Sequence, residues 1–369
     1  MSSAAVGQKL PPWAALLPLA ACGLLAAQAL GLLPAAAVPV LVAAAGLLGG
    51  AVFAAVHHAE VLALRVGEPF GSIILAVAVT VIEVALIVSI LLSATPGSET
   101  VARDTVFAAV MIVLNGIVGL CLVLGGRRHR EQAVRVNAAA AALAVLGTLA
   151  VVTLVLPNYT DATRGPTFAT AQLVVIGGAS LLLYMTFIFV QTIRHRDYFL
   201  DVAVLPEGAA VPLSNRPRAP VVAASAVLLV ISLTAVVLLA KLLSAPLGRA
   251  VAAAGLPNAV VGVAIAGVVL LPEGMAAVKA ALANRLQSSM NLALGSAVAS
   301  IGLTVPAVAV VSVVTGRPLI LGLTDEKIVL LALTLYVASL TLGTGRTTVL
   351  QGAVHLVVFA VFLLLAVVP

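Results

Sequence analysis

Uncharged stretches of about twenty residues recur from one end of this 369-residue chain to the other, and the recurrence decides the fold class before any motif does. Roughly 20 residues of helix cross the ~30 Å hydrocarbon core of a bilayer. About eleven such windows can be marked, near 13–33, 35–56, 70–93, 105–125, 137–157, 167–191, 220–243, 257–278, 289–314, 328–343 and 347–368. In lipid every backbone donor and acceptor must be satisfied within the protein, so only helices and closed barrels span it. Barrel strands alternate polar and apolar residues over about ten positions, and these windows do not alternate. With 9% charged residues, against about a quarter in soluble proteins, the chain is expected to be an all-α, polytopic membrane protein.

The 19 Lys and Arg exceed the 13 Asp and Glu, for a net charge of +6. Walking the loops from a cytoplasmic N-terminus puts 13 of the 19 on the cytoplasmic side: Lys9, Arg65, Arg127, Arg128, Arg130, Arg135, Arg194, Arg196, Arg216, Arg218, Lys279, Arg285 and Arg346. The positive-inside rule then gives a multi-pass protein of the cell (inner) membrane, N-terminus cytoplasmic and C-terminus outside. The basic balance reads as topology and contact with membrane lipid. Nucleic acid is excluded as a partner, because no aromatic-interleaved basic patch accompanies the charges.

Cys22 and Cys121, the only cysteines, lie in apolar segments without metal-ligand spacing, and indicate neither a disulfide framework nor a zinc site. Lys9, an apolar run and Leu19-Ala20-Ala21-Cys22 have the outline of a lipid-modified export signal. A chain that inserts itself gains little from one, so the segment reads as a first membrane helix.

The interval from Arg194 to Pro220 carries mixed charge, four prolines and no helical period, and reads as a cytoplasmic linker. The division expected is therefore an N-terminal segment with an orphan helix (1–34), a first five-helix repeat (35–193), the linker (194–219) and a second five-helix repeat (220–369). An odd number of spans per repeat inverts the second copy, an architecture known in transporters.

Glu83 and Glu273 stand alone in VAVTVIEVALIVSI and GVVLLPEGMAAV. A carboxylate in hydrocarbon costs several kcal/mol unless it has a proton, a partner or a cation, and marks a functional site. Each sits on the second helix of its repeat, so the two occupy equivalent positions on antiparallel elements. Val79, Thr80, Leu86 and Ile87 flank the first, and Val269, Leu270, Ala276 and Ala277 the second; neither has a basic partner one turn away. Pro272 withholds a backbone donor and Gly274 weakens the same turn, which predicts a broken helix whose freed carbonyls could ligate a cation. Hard cations take oxygen ligands, about 6 to 8 for Ca²⁺. The accessory candidates are Thr80, Asn115, Asn291, Ser296 and Ser300; Thr304 continues the four-residue spacing of the two serines but reads as a hydroxyl bonded to its own helix. Two ionised carboxylates close together in low dielectric repel, so the pair should titrate as a unit and be stable either protonated or cation-filled.

These residues carry a resemblance. RVGEPFGSIILAVAVTVIEVALI (65–87), LLPEGMAAVKAALANRLQSSMNLALGSAVASIGLTVP (270–306) and GRTTVLQGAVHL (345–356), with Tyr184, Gln191 and His195, resemble the calcium/cation antiporter superfamily, in particular the bacterial calcium (sodium or potassium) to proton antiporters akin to the cation/proton exchangers. The resemblance covers nearly the whole chain. It implies that Glu83 and Glu273 bind the transported ion and proton, with no cofactor beyond the transported cation, Ca²⁺ or else Na⁺ or K⁺. The vacuolar branch places Gly-Asn four and three residues before each glutamate, whereas this chain has Val79-Thr80 and Val269-Leu270, which leaves the cation open.

His57, His58, Glu60 and Glu68 cluster near the cytoplasmic end of the second span. They read either as a cation-access or pH-sensing group or as a solvated interhelical turn. His57-His58-Ala59-Glu60 lacks the HExxH spacing of a zinc protease helix, and no nucleophile and base stand together, so an enzyme is not expected. His355 is isolated in its span and reads as a helix-contact residue. A passive channel would need a filter of carbonyls or charged rings, and the inverted glutamates favour an antiporter instead.

Overall fold

The computed structural model describes residues 10–34, 37–66, 70–92, 98–163, 165–200, 217–257 and 259–368. Glu68 and residues 201–216 of the expected linker lie outside them. The elements in order are α1 (Pro12–Ala29), α2 (Val38–Val66), α3 (Phe70–Leu92), α4 (Val101–Met111), α5 (Val118–His129), α6 (Val136–Ala150), α7 (Thr170–Phe189), α8 (Ala219–Ala253), α9 (Ala259–Leu282), α10 (Leu286–Thr315), α11 (Asp325–Gly343) and α12 (Val349–Val367). A π turn, Ile112–Ile117, joins α4 to α5 without a break; further π turns extend α6 (Val151–Val155) and α7 (Val190–Arg194). Ten crossings among the described residues are long and apolar enough to span a membrane, and α3, at 23 residues, makes the eleventh. Among the described residues the only departures from helix that pair as strands are β1 (Gln132–Ala133) and β2 (Arg346–Thr347), plus one isolated bridge.

Pro18, Pro246, Pro272 and Pro306 all lie inside continuous helices. The break expected at Pro272 is absent. A proline deletes one intrahelical bond, and α9 packs along α4, α5 and α10, so neighbouring helices hold the weakened turn in line, as they do in membrane proteins generally.

The chain forms two compact units that cut across its linear halves. One comprises Met1–Thr95 and Leu205–Ala250, the other Pro96–Val204 and Val251–Pro369. In the first, α1 packs on α2 and α2 on α3. His57 and His58 are part of α2 here, so the solvated-turn reading fails: α2 runs on to Val66, His58 is fully buried and its Nε2 meets the Ala14 carbonyl of α1 at 3.0 Å.

In the second unit α10 is central, packed on α6, α7, α9 and α4, while α5 lies along α12. Without a hydrophobic force in lipid, helices associate by close backbone approach at small residues. A β-carbon on Gly352 of α12 would sit 2.7 Å from the Val123 nitrogen of α5, and one on Gly262 of α9 would sit 2.9 Å from the Asp104 carbonyl carbon of α4.

Both ends of this unit are tied by polar contacts. At one end β1 pairs antiparallel with β2, Gln132 opposite Thr347, and Gln132 Nε2 donates to the Ala281 carbonyl at 2.8 Å. His129 meets the Leu282 carbonyl at 2.9 Å, which joins the α5–α6, α9–α10 and α11–α12 turns. At the other end Asp104 is buried between Arg103 (3.0 Å) and Lys327 (2.9 Å), and Arg103 also donates to the Gly322 carbonyl at 3.2 Å.

Candidate cation-binding site

A glutamate belongs on an apolar membrane helix only where its face is enclosed by protein, and both glutamates meet that condition. Glu83 is 3% exposed on α3, with Val79, Thr80, Leu86 and Ile87 buried around it. Glu273 is 5% exposed on α9, with Val269, Leu270 and Ala277 buried on the neighbouring turns. They belong to different compact units.

Around Glu273 the second unit can be followed residue by residue. A β-carbon on Gly274 would lie 3.2 Å from Ile117, the last residue of the π turn between α4 and α5. That contact and the Gly262–Asp104 contact fix the register of two parallel helices: the fourteen residues from Asp104 to Ile117 accompany the thirteen from Gly262 to Gly274. The extra residue is what a π turn accommodates, and such turns gather at functional sites. Asn115 therefore lies at the depth of Glu273.

Its amide is nevertheless committed elsewhere. Asn115 is fully buried; its Nδ2 donates to Thr334 Oγ1 at 2.9 Å and its Oδ1 faces His355 Nδ1 at 3.2 Å. The isolated His355 of the sequence is thus a helix-contact residue, completed by Thr341 Oγ1, 3.1 Å from Nε2.

The other accessory candidates separate in the same way. Asn291 Nδ2 donates to the Phe199 carbonyl and its Oδ1 accepts from Gln287 Nε2 at 2.7 Å. Five residues further on, Ser296 lies about 140° around the helix from it, so Asn291 does not share a face with Ser296 and Ser300. Ser300 is buried and Ser296 half-buried. The Thr304 hydroxyl, expected to bond its own helix, is buried without a hydrogen-bond partner among the described residues. Thr80 is buried one turn before Glu83. Among the described residues no group of three or more His, Cys, Asp or Glu side chains has metal-holding geometry; any cation held here would draw on hydroxyl and carbonyl oxygens besides a carboxylate. Pro272 leaves the Val268 carbonyl, four residues back, without its usual helical donor. Sequence reasoning missed the π turn, which no local residue pattern announces.

Comparison with known proteins agrees with this architecture. The model of the sodium/calcium exchanger protein family matches residues 36–193 and 224–368. An ionic transporter of Sinorhizobium fredii is 61% identical over 362 residues, covering 98% of this chain and 97% of that one. The sodium-potassium/proton antiporter ChaA of Escherichia coli is 36% identical over 319 residues, 86% of each chain. Among solved structures, that of the Ca²⁺/H⁺ antiporter protein YfkE superposes with a TM-score of 0.70 at 15% identity, covering 96% of this chain and 99% of that one, a likeness of fold.

Proposed function

Because the chain belongs to the sodium/calcium exchanger protein family, we propose that it is a secondary antiporter exchanging Ca²⁺, or Na⁺ or K⁺, for H⁺ across the cell membrane, with Glu83 and Glu273 as the residues that carry cation and proton in turn. The observation that supports this most is the burial of one glutamate in each of two membrane-length apolar helices, 3% and 5% exposed. The proton as counter-ion accords with the name of the 36% identical relative, and Na⁺ and Ca²⁺ with that of the family.

A carboxylate must lose its proton before it can ligate a cation, so the two ligands compete for the same oxygens. An empty, doubly ionised site is costly to carry through hydrocarbon, which disfavours leak and couples the two fluxes. Apparent cation affinity should therefore rise with pH through the macroscopic titration of the pair and then level off. A divalent ion neutralised by both carboxylates displaces two protons, a monovalent ion one. Protons released per cation bound, measured on detergent-purified protein for Ca²⁺, Na⁺ and K⁺ separately, test mechanism and substrate together. Binding with no proton release, at a pH where the unloaded protein is protonated, would sink the antiport reading in favour of a channel.

A further inference from the structure

His355 sits in α12, fully buried, in a unit where Glu273 lies on a different helix. Among the described residues its hydrogen-bond partners, Asn115, Thr341 and the Leu114 backbone, are uncharged. Because Asn115 Nδ2 is turned to Thr334, Oδ1 is the atom presented to the imidazole. With the amide in that orientation His355 Nδ1 donates to Oδ1, while Nε2 shares a hydrogen bond with the Thr341 hydroxyl. The ring's proton and the orientation of the Asn115 amide are set together.

The amide stands inside the π turn. A π turn is a rare interruption of an α-helix and persists where its surroundings hold it. Here α12 lies directly against it and the start of α5: a β-carbon on Gly116 in the turn would meet Phe359 at 3.2 Å, and one on Gly119, two residues past it, would meet Leu356 at 3.0 Å and the His355 β-carbon at 3.1 Å. On its far side the turn ends at Ile117, whose side chain abuts Gly274, the residue after Glu273, in the turn that Pro272 weakens. The contacts form an unbroken chain from His355 to the backbone that carries the carboxylate.

We infer that His355 is a positioning residue for Glu273: through Asn115 it fixes the π turn, and the turn seats Ile117 against the Glu273–Gly274 backbone. The inference rests on the reading of Glu273 as a cation- and proton-binding residue. Asn115 then belongs to the scaffold of the site, and its amide is not offered to the ion.

The test is cation-driven proton movement in everted membrane vesicles, titrated separately with Ca²⁺, Na⁺ and K⁺ on the full-length protein. His355→Leu removes both ring nitrogens at similar volume, and should raise the half-saturating concentration of the transported cation about tenfold while changing the maximal rate per folded protein less than about twofold. His355→Asn returns a donor near the Nδ1 position and should stay within about threefold of wild type. Asn115→Leu should match His355→Leu, and the double variant should be no worse than either, because both remove one interaction. A purely structural role would lower the amount of folded protein or the maximal rate and leave half-saturation where it was, and that result overturns the inference. Should His355→Leu fail to accumulate, an increase of tenfold or more in His355→Asn also overturns it. Glu273→Gln serves as the separate control: if that variant exchanges normally the underlying reading fails, whatever the His355 variants do.

Discussion

A buried glutamate in an apolar helix is tolerated only in company with a proton, a cation or a polar partner, and the amide of glutamine removes the first two choices while keeping the shape. Glu83→Gln and Glu273→Gln are each expected to lower exchange at least about a hundredfold, the scale on which loss of a buried charged ligand acts, without changing membrane insertion. Proton movement in vesicles normalised to folded protein by size-exclusion checks this; near-normal exchange in either variant would refute the paired-carboxylate mechanism. Both residues were legible in the sequence because a charge among Val, Ile and Leu has no cheap structural explanation. Asn115 was visible as a polar residue but not as what it is. Its partners Thr334 and His355 are 219 and 240 positions away, and no local pattern predicts which of two neighbouring helices an amide will face. The same holds for Asn291, committed to Phe199 across 92 positions.

At the scale of the helices, close contact at glycine rather than apolar bulk holds the second unit together, since Leu gains nothing from leaving lipid for another helix. Gly352 is the sharpest case, with the Val123 nitrogen at 2.7 Å and the Gly119 carbonyl oxygen at 2.9 Å from where its β-carbon would be. Backbone atoms cannot step aside as a side chain can, so Gly352→Ala should force α12 away from α5 and destabilise the protein by about 1–3 kcal/mol. Gly178 of α7 has nothing within 4 Å, and Gly178→Ala should be neutral or stabilising by up to about 1 kcal/mol. Thermal unfolding in one detergent compares the pair, and equal midpoints for the two variants would contradict the packing argument. Hydropathy alone located every span, because bilayer thickness fixes their length. It misjudged their ends: α2 runs to Val66 beyond the window near 35–56, since His57, His58 and Glu60 continue the helix and His58 is bonded to α1. It also gave no sign of the π turn, which packs against both α12 and α9.

On the whole molecule, the sequence supplied a count of crossings and a charge bias, and the second unit shows how that bias is carried. The three turns joined through β1, β2, Gln132 and His129, with the helix ends that enter them, carry Arg127, Arg128, Arg130, Arg135, Lys279, Arg285 and Arg346, with Glu131 paired to Arg346 at 3.3 Å. The opposite end, tied through Asp104, Arg103, Lys327 and the Gly322 carbonyl, holds Glu99, Asp161, Asp325 and Glu326 as well. Prolines and charge suggested a partition into halves at 194–219; the compact units are a different division, one that no sequence feature signalled. They draw α8 together with α1–α3 and leave α9–α12 with α4–α7, a grouping set by helix contacts far apart in sequence. The basic end should face the cytoplasm. In a variant lacking Cys22 and Cys121, a single cysteine at exposed Arg285 should react with a membrane-impermeant maleimide in everted vesicles and be protected in intact cells. One at exposed Glu326 should show the reverse. Labelling of both from the same face would break the antiparallel order of α10 and α11. Exchange of the two patterns would instead invert the whole protein, placing its N-terminus outside and reversing the side from which protons and cations reach Glu273.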